Sequence, residues 1–341
     1  MTTKYISAVF VLTLGAGCSF FSSQSSNYCE GAPNNNCMDL VDAAIDGPPT
    51  GCVATPSICT GATAVCNPAA DVCVECLPGS AAACTGAEPV CGGDNTCRSC
   101  TAHSECASAV CLPDGSCAAE SDVAYVDGTT GAGTTCTQAA PCKTVTLAVA
   151  PSVGKPLVKV TGTVREATIA FAGTTAKTLI GATGAKIEGT TGSQNLIELR
   201  DTATLTVRDL TIGGTAGNKP TACFALIAGT PSLTVTTGKI ENCQVGISSS
   251  GGAVTVTGAT VTSNTGGGIS VTGGSFRLTN NVIADNGSAA ITGSDFGGVF
   301  LSGAGVASEL TQNTIVGNFV VLLVLGALGF GVVGSVYAVY V

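Results

Sequence analysis

The chain contains few charged and few aromatic side chains. Only 10% of its 341 residues are charged, tryptophan is absent, and His103 is the single histidine. The 13 lysines and arginines are scattered and outnumbered by 22 acidic residues, which gives a net charge of −9. Nucleic-acid binding needs clustered basic residues, so nucleic acid is excluded as a partner. A histidine-activated nucleophile is also disfavoured, because residues 123–318 contain no histidine and we expect His103 to lie in a solvated loop.

The first 50 residues predict export. Lys4 provides a small positive region, Ile6 to Leu14 form an apolar run, and the stretch LGAGC ends in Cys18. Residues 1–18 resemble a bacterial lipoprotein signal peptide, which implies lipidation of Cys18; an ordinary cleaved signal with Cys18 as a bystander is the alternative. Residues 19–51 are rich in Ser, Asn, Asp and Pro and predict a tether without a core.

The other 18 cysteines predict disulfide bonds, because an exported chain meets an oxidising environment and their number is even. Twelve of them form three units of four: Cys52, Cys59, Cys66, Cys73; Cys76, Cys84, Cys91, Cys97; and Cys100, Cys106, Cys111, Cys117. The remaining six are Cys29, Cys37, Cys136, Cys142, Cys223 and Cys243. The units have almost no large apolar side chains, so residues 52–117 require cross-links for stability. The pairing inside each unit stays open.

Zinc binding and redox chemistry are the alternatives for these cysteines. Cys73-x-x-Cys76 and Cys97-x-x-Cys100 together imitate a zinc ribbon, and each motif alone imitates a thioredoxin-like pair. Each motif nevertheless straddles the boundary between two units, so the repeat itself explains the spacing. No βαβ pattern surrounds either motif. We therefore expect structural disulfides, with no metal and no cofactor.

Residues 123–318 predict an all-β fold. The segment VAYVDGTTGAGTTCTQAAPCKTVTLAVA (123–150) resembles the entry of right-handed parallel β-helix proteins of the pectin-lyase-like kind, in which a small helix caps the first coil. That resemblance implies an architecture and no particular activity. Apolar pairs then recur once per coil, as alternating strand positions: Leu205 and Val207, Leu233 and Val235, Val254 and Val256, Phe276 and Leu278. A further strand of each coil is marked by Leu226, Ile247, Ile269 and Ile291.

Two further patterns fit stacked coils. Asn264, Asn286 and Asn318 each follow an apolar strand residue at the same spacing, which predicts a ladder of side-chain amides along the solenoid axis. Cys223 and Cys243 are about one coil apart. Adjacent coils are separated by about 4.8 Å, close to the Cα separation of a disulfide, so we expect these two cysteines to bridge neighbouring coils.

The sequence offers no convincing catalytic or metal site. Acidic residues scatter over different corners, and the signatures of related pectin-degrading enzymes are absent. Asp285 and Asp295 are the best remaining pair for calcium, although turn chemistry explains both more simply. The first hypothesis is a non-catalytic envelope protein, in which a disulfide-rigidified stalk presents a β-helix that binds glycan or a surface protein. The alternative is a carbohydrate-active enzyme, a polysaccharide lyase or hydrolase.

The last segment predicts contact with a membrane. Residues 319–341 are uncharged and long enough for a transmembrane helix, although they have no flanking Lys or Arg. Replacement of lost β-helix coils is the alternative. Residues 1–318 resemble Cys-rich β-helix lipoproteins of myxobacteria and related deltaproteobacteria. This resemblance implies a cell-envelope location at the outer membrane or cell surface, or at the inner membrane if the final helix spans it.

Overall fold

The alternating apolar residues form parallel strands that stack coil on coil. The computed structural model describes residues 51–79, 84–288, 296–303 and 308–319, together with the backbone of 337–339. Cys18, Cys29 and Cys37, the proposed tether and most of the final apolar segment lie outside this range. The all-β fold class is confirmed, with a disulfide-rich region preceding a right-handed parallel β-helix.

Three parallel sheets run along the solenoid, and each full coil contributes one strand to each of them. Sheet A contains β5 (Val123–Asp127), β6 (Leu157–Thr161), β9 (Ala176–Gly181), β12 (Thr204–Arg208), β15 (Ser232–Thr236), β18 (Ala253–Thr257), β21 (Ser275–Thr279) and β24 (Glu309–Thr311). Sheet B contains β7 (Thr163–Glu166), β10 (Lys186–Gly189), β13 (Thr211–Gly213), β16 (Lys239–Glu241), β19 (Thr260–Thr262), β22 (Val282–Ala284), β25 (Thr314–Val316) and β26 (Tyr337–Val339). Sheet C contains β8 (Ile169–Phe171), β11 (Ile197–Asp201), β14 (Ala222–Gly229), β17 (Val245–Ser249), β20 (Gly267–Val271) and β23 (Gly297–Leu301).

The predicted apolar pairs of sheet A are confirmed. Leu205 aligns with Leu233, and Val254 aligns with Phe276, in a register that continues through the sheet. The side chains of these strands alternate between a buried inner face and a more exposed outer face. Each buried Leu, Val or Phe contributes roughly 1.5–3 kcal/mol relative to exposure. The core is therefore a set of continuous apolar rows along the axis.

The expected row through sheet C needs two corrections. Ile247 pairs with Phe224 rather than with Leu226, which lies two positions further along β14 and aligns with Ser249. Ile269 pairs with Val299, whereas Ile291 lies outside the described residues. The chain between β22 and β23 is longer than in the preceding coils. A constant repeat length therefore predicts Ile291 as the last residue of the row, whereas the structure has Val299 in that position.

The start of the solenoid is closed by a short helix, α1 (Val145–Ala148). Thr144 caps this helix through its hydroxyl group, and the buried carboxylate of Glu166 accepts hydrogen bonds from the backbone N–H groups of Val145 and Thr146. The Cys136–Cys142 disulfide closes the loop before the helix. The contacts of Thr144 and Glu166 thus provide hydrogen-bond acceptors for the backbone N–H groups at the start of the helix, which have no partner within the helix itself.

The described part of the disulfide-rich region contains two small hairpins and three short 3₁₀ turns. Its strands are β1 (Val65–Asn67) paired with β2 (Val72–Val74), and β3 (Val90–Cys91) paired with β4 (Cys97–Arg98); its 3₁₀ turns are Pro56–Ile58, Gly61–Thr63 and His103–Glu105, and a fourth, Glu120–Asp122, leads into β5. The predicted disulfide bonds are confirmed here. In each four-cysteine unit the first cysteine pairs with the third and the second with the fourth: Cys52–Cys66, Cys59–Cys73, Cys76–Cys91, Cys84–Cys97, Cys100–Cys111 and Cys106–Cys117.

The third four-cysteine unit packs directly on the outer face of sheet A. Val110 of the unit and Ala118, which directly follows the unit, form a buried cluster with Tyr125 and Ile180 of the solenoid. The hydroxyl group of Tyr125 donates to the carbonyl of Ser108 at 2.9 Å. This contact makes the third unit part of the solenoid surface.

The final apolar segment is described only at Phe319, which is exposed, and at the backbone of residues 337–339. Tyr337–Val339 form β26, which pairs in parallel with β25. Within the described ranges, no helix combines the length and the apolarity needed to cross a membrane.

Candidate ligand-binding cleft

A cleft of about 550 Å³ lies where the third four-cysteine unit meets sheet A. One wall comes from the 3₁₀ turn His103–Glu105 and the segment around Cys111. The other wall comes from the solenoid and carries Lys159, Arg208 and Asp209. The cleft thus exists only because two separately cross-linked parts of the chain pack together.

His103 belongs to this cleft, and the expectation that it is solvated was wrong. Its side chain is 21% exposed. The backbone N–H of Cys111 donates to Nδ1 at 3.0 Å, and Nε2 lies 3.5 Å from Oδ2 of Asp209. Docking of the third unit, which the local sequence does not reveal, covers most of the ring. Burial, assisted by the nearby charge of Lys159, lowers the pKa of His103 despite the opposing effect of Asp209.

These contacts define what the imidazole can do. Because Nδ1 accepts a backbone N–H, the ring proton belongs on Nε2, facing Asp209. Neither nitrogen is then free to take a proton from a nucleophile or from water. His103 therefore connects the two walls of the cleft through its contacts with Cys111 and Asp209. This geometry gives no support to histidine-based catalysis.

Asp209 occupies a corner of the solenoid directly after β12. Its backbone is left-handed, with φ 54°, a conformation that Asp tolerates better than most residues. The hydroxyl group of Thr237, one coil further on, donates to Oδ1 at 2.6 Å. With Oδ2 turned towards His103, this carboxylate has a partner on each oxygen.

Lys159 lies at the base of the cleft and is only 3% exposed. Its Nζ donates to the carbonyl of Gly181 at 3.0 Å. Burial lowers the pKa of Lys159 to about 8, although Asp209 opposes the shift. The side chain therefore carries a positive charge at neutral pH, with one of its three donors used by a protein acceptor in the described structure.

Arg208 differs from the other four arginines of the chain. Those four pair with carboxylates: Arg98 with Glu105, Arg165 with Glu188, Arg200 with Glu198 and Arg277 with Glu309. The guanidinium of Arg208 has no carboxylate or hydrogen-bond partner among the described residues. It lies in the same outward row as Lys159, with Ile180 between them. The cleft consequently presents two cations, while its single carboxylate is already engaged by protein groups.

Within the described ranges, the clustered cysteines of the disulfide-rich region are all cross-linked. In each unit three sulfur atoms lie within 4.8 Å of one another. All of them belong to disulfides, whereas zinc binds the thiolate form of cysteine. The solenoid cysteines Cys223 and Cys243 form a disulfide between neighbouring coils.

The asparagine row forms a continuous hydrogen-bonded ladder. The amide of Asn264 donates to Oδ1 of Asn286 at 2.9 Å, and that of Asn286 donates to Oδ1 of Asn318 at 3.0 Å. A second ladder, from Asn281 to Asn313, was missed by the sequence reasoning. The signal was present, because Asn281 and Asn313 precede Ile283 and Ile315 by the same two residues. Both ladders join coils and leave little side-chain surface for a ligand.

Of the two acidic residues considered for calcium, the structure describes Asp285 only. Asp285 occupies a left-handed corner with φ 55°, in agreement with a turn role, and Asp295 lies outside the described residues.

The fold is that of a parallel β-helix solenoid, and the comparison with protein families agrees. Residues 161–335 match the family described as right handed beta helix region. This match covers slightly more than half of the chain, and the protein belongs to that family. No curated protein and no solved structure matches the chain.

Proposed function

We propose that this protein is a non-catalytic, cell-envelope binding protein, in which the disulfide-rich region holds a β-helix that binds an acidic glycan in the cleft of Lys159 and Arg208. Export, lipidation at Cys18 and attachment to a membrane are part of the proposal and rest on the sequence patterns alone. The glycan ligand is favoured over a protein because the charged groups lie inside a cleft rather than on a flat surface.

The unpaired guanidinium of Arg208 carries the proposal. A guanidinium presents a planar fork of donors that matches a carboxylate or sulfate group. Lys159 adds a second positive charge in a partly enclosed site, where charges interact more strongly than in bulk water. A uronic acid combines such a carboxylate with hydroxyl groups, which suit the polar groups of Thr101, Ser104 and Thr183 in the cleft wall.

Titration of the exported protein with oligouronides, followed by calorimetry, tests the binding. Replacing Arg208→Gln removes a charge-assisted contact of roughly 1.5–3 kcal/mol, so the affinity should fall by about tenfold to a hundredfold. The matched control is Arg277→Gln, since Arg277 lies on the same sheet and is paired with Glu309. Equal affinities for both variants and the parent protein would exclude this cleft as the site.

The enzymatic alternative rests on Lys159. At mildly alkaline pH the amine of Lys159, whose pKa is lowered to about 8, is partly neutral and suited to take the C5 proton of a bound uronate. The C4–O4 bond of the glycan then breaks, and the released sugar oxygen takes a proton from water, which completes a β-elimination. Elimination creates an unsaturated uronide that absorbs in the ultraviolet. A time-dependent rise in this absorbance that disappears in Lys159→Met would favour the lyase, and binding without such product favours the non-catalytic protein.

A further inference from the structure

A second cleft, of about 440 Å³, lies along the edge of sheet C. Its lining consists of Thr168, Ser193, Gln194, Asn195, Glu198 and Thr221. Hydroxyl, carboxamide and carboxylate groups thus converge there from three neighbouring coils. It shares no residue with the cleft of Arg208 and Lys159.

The walls of this second cleft are held in place by contacts between coils. The hydroxyl group of Thr168 donates to the carbonyl of Asn195 at 2.9 Å, and the backbone N–H of Thr221 donates to the carbonyl of Gln194 at 2.9 Å. From the following coil, the amide of Gln244 donates to the carbonyl of Gly192 at 3.2 Å. The loop before β11 is therefore fixed from both sides, and the cleft needs little rearrangement to accept a ligand.

Glu198 is the central acceptor. Its side chain is 17% exposed, and each of its oxygens has one protein donor: Asn195 at 3.0 Å and Arg200 at 2.8 Å. Burial acts to raise the pKa of Glu198, but the hydrogen bonds from Asn195 and Arg200 outweigh it and the net shift is downward. The carboxylate stays ionised at neutral pH and retains acceptor capacity on both oxygens.

The charge and polarity of the lining select the ligand class. Arg200 balances the charge of Glu198, so the cleft does not favour an ion of either sign. Each sugar hydroxyl both donates and accepts, which matches a wall that alternates carboxylate, carboxamide and hydroxyl groups. We infer that this cleft is a second glycan site that binds a neutral saccharide through its hydroxyl groups, with Glu198 as the principal acceptor. This inference does not depend on the proposed acidic-glycan site.

The experiment uses ligand-observed saturation-transfer NMR on the full exported protein, with neutral methyl glycosides of glucose, galactose and mannose as probes. We expect transfer to at least one of them. In Glu198→Gln the affinity should fall by about tenfold, because the replacement loses a charged acceptor. Gln194→Ala, which changes an exposed side chain of the same cleft, should also weaken binding without affecting the fold.

Two matched control variants show whether saccharide binding belongs to this cleft. Glu188→Gln also removes a half-buried, ion-paired carboxylate of the same coil, but it lies outside the cleft and should leave binding unchanged. Arg208→Gln should likewise leave binding of the neutral saccharide unchanged. A negative result for the second cleft can therefore be told apart from a negative result for the acidic-glycan site. The inference is overturned if no glycoside shows transfer, or if Glu198→Gln and Glu188→Gln behave alike. Transfer that disappears on chelation with EDTA would also overturn it, because the cleft would then be a divalent-cation site.

Discussion

Replacing Asn286 with alanine should destabilise the solenoid far more than an ordinary surface substitution. Asn286 is fully buried in the middle of its ladder. Its Oδ1 accepts from both the backbone N–H and the side-chain amide of Asn264, and its own amide donates to the carbonyl of Val261 at 2.9 Å and to Oδ1 of Asn318. Alanine removes all of these partners at once.

The magnitude follows from the groups left behind. The N–H of Asn264 and the carbonyl of Val261 each lose a hydrogen bond at a buried site, whereas Oδ1 of Asn318 keeps the backbone N–H of residue 286. An unsatisfied buried polar group costs about 1–3 kcal/mol. We therefore expect the free energy of unfolding to fall by at least about 2 kcal/mol.

Urea unfolding followed by far-ultraviolet circular dichroism measures this loss. Asn218→Ala is the control, because Asn218 is exposed in a loop of the same solenoid; it should change stability by less than about 0.5 kcal/mol. Hydrogen exchange adds a local test, since the amide of Asn264 should exchange faster in Asn286→Ala. A loss no larger than that of the control would refute the argument that the ladder stabilises the stack.

Three further predictions concern the cross-links and the histidine. Replacing Cys223 and Cys243 with serine should lower stability by roughly 3 kcal/mol in thermal or urea unfolding, with an unchanged far-ultraviolet signal, because the apolar rows maintain the fold. Residues 52–117 should show no free thiol in alkylation and mass spectrometry, and elemental analysis should find no stoichiometric zinc; one equivalent of zinc would contradict the disulfide assignment. His103 has a lowered pKa in the folded state, so its stabilising contribution should be complete above pH 6.5 and lost as the pH falls below that value. His103→Gln should remove this part of the pH dependence of unfolding, and an unchanged pH profile would contradict a partly buried histidine that is neutral in the folded state.

The repeating part of the fold was predictable because every coil offers the same environment. Residues such as Val207 and Val235 occupy equivalent places, so the apolar pattern returns at each coil and identifies the strands directly. The prediction failed where the repeat is interrupted, as in the inserted segment before Val299. Spacing alone does not say in which coil an insertion falls.

The cleft could not be predicted, because it depends on packing between distant segments. His103 and Asp209 are brought together only when the third four-cysteine unit covers Tyr125 and Ile180. Nothing in the local sequence of the unit marks that surface as buried. The unusual state of Arg208 was equally hidden, since a single sequence does not show which arginines lack a carboxylate partner.

The docked position of the third unit bears on the role of the whole disulfide-rich region. A stalk that only spaced the solenoid from a membrane would need no specific contact with it. Here Val110 of the unit packs against apolar side chains of the solenoid, and the carbonyl of Ser108 accepts a hydrogen bond from Tyr125. The unit also forms one wall of the cleft, which includes His103. Its two disulfides, Cys100–Cys111 and Cys106–Cys117, fix the segment that carries that wall. The cross-links therefore hold the proposed binding cleft in shape, and reduction of this unit should weaken the proposed acidic-glycan binding even while the β-helix remains folded.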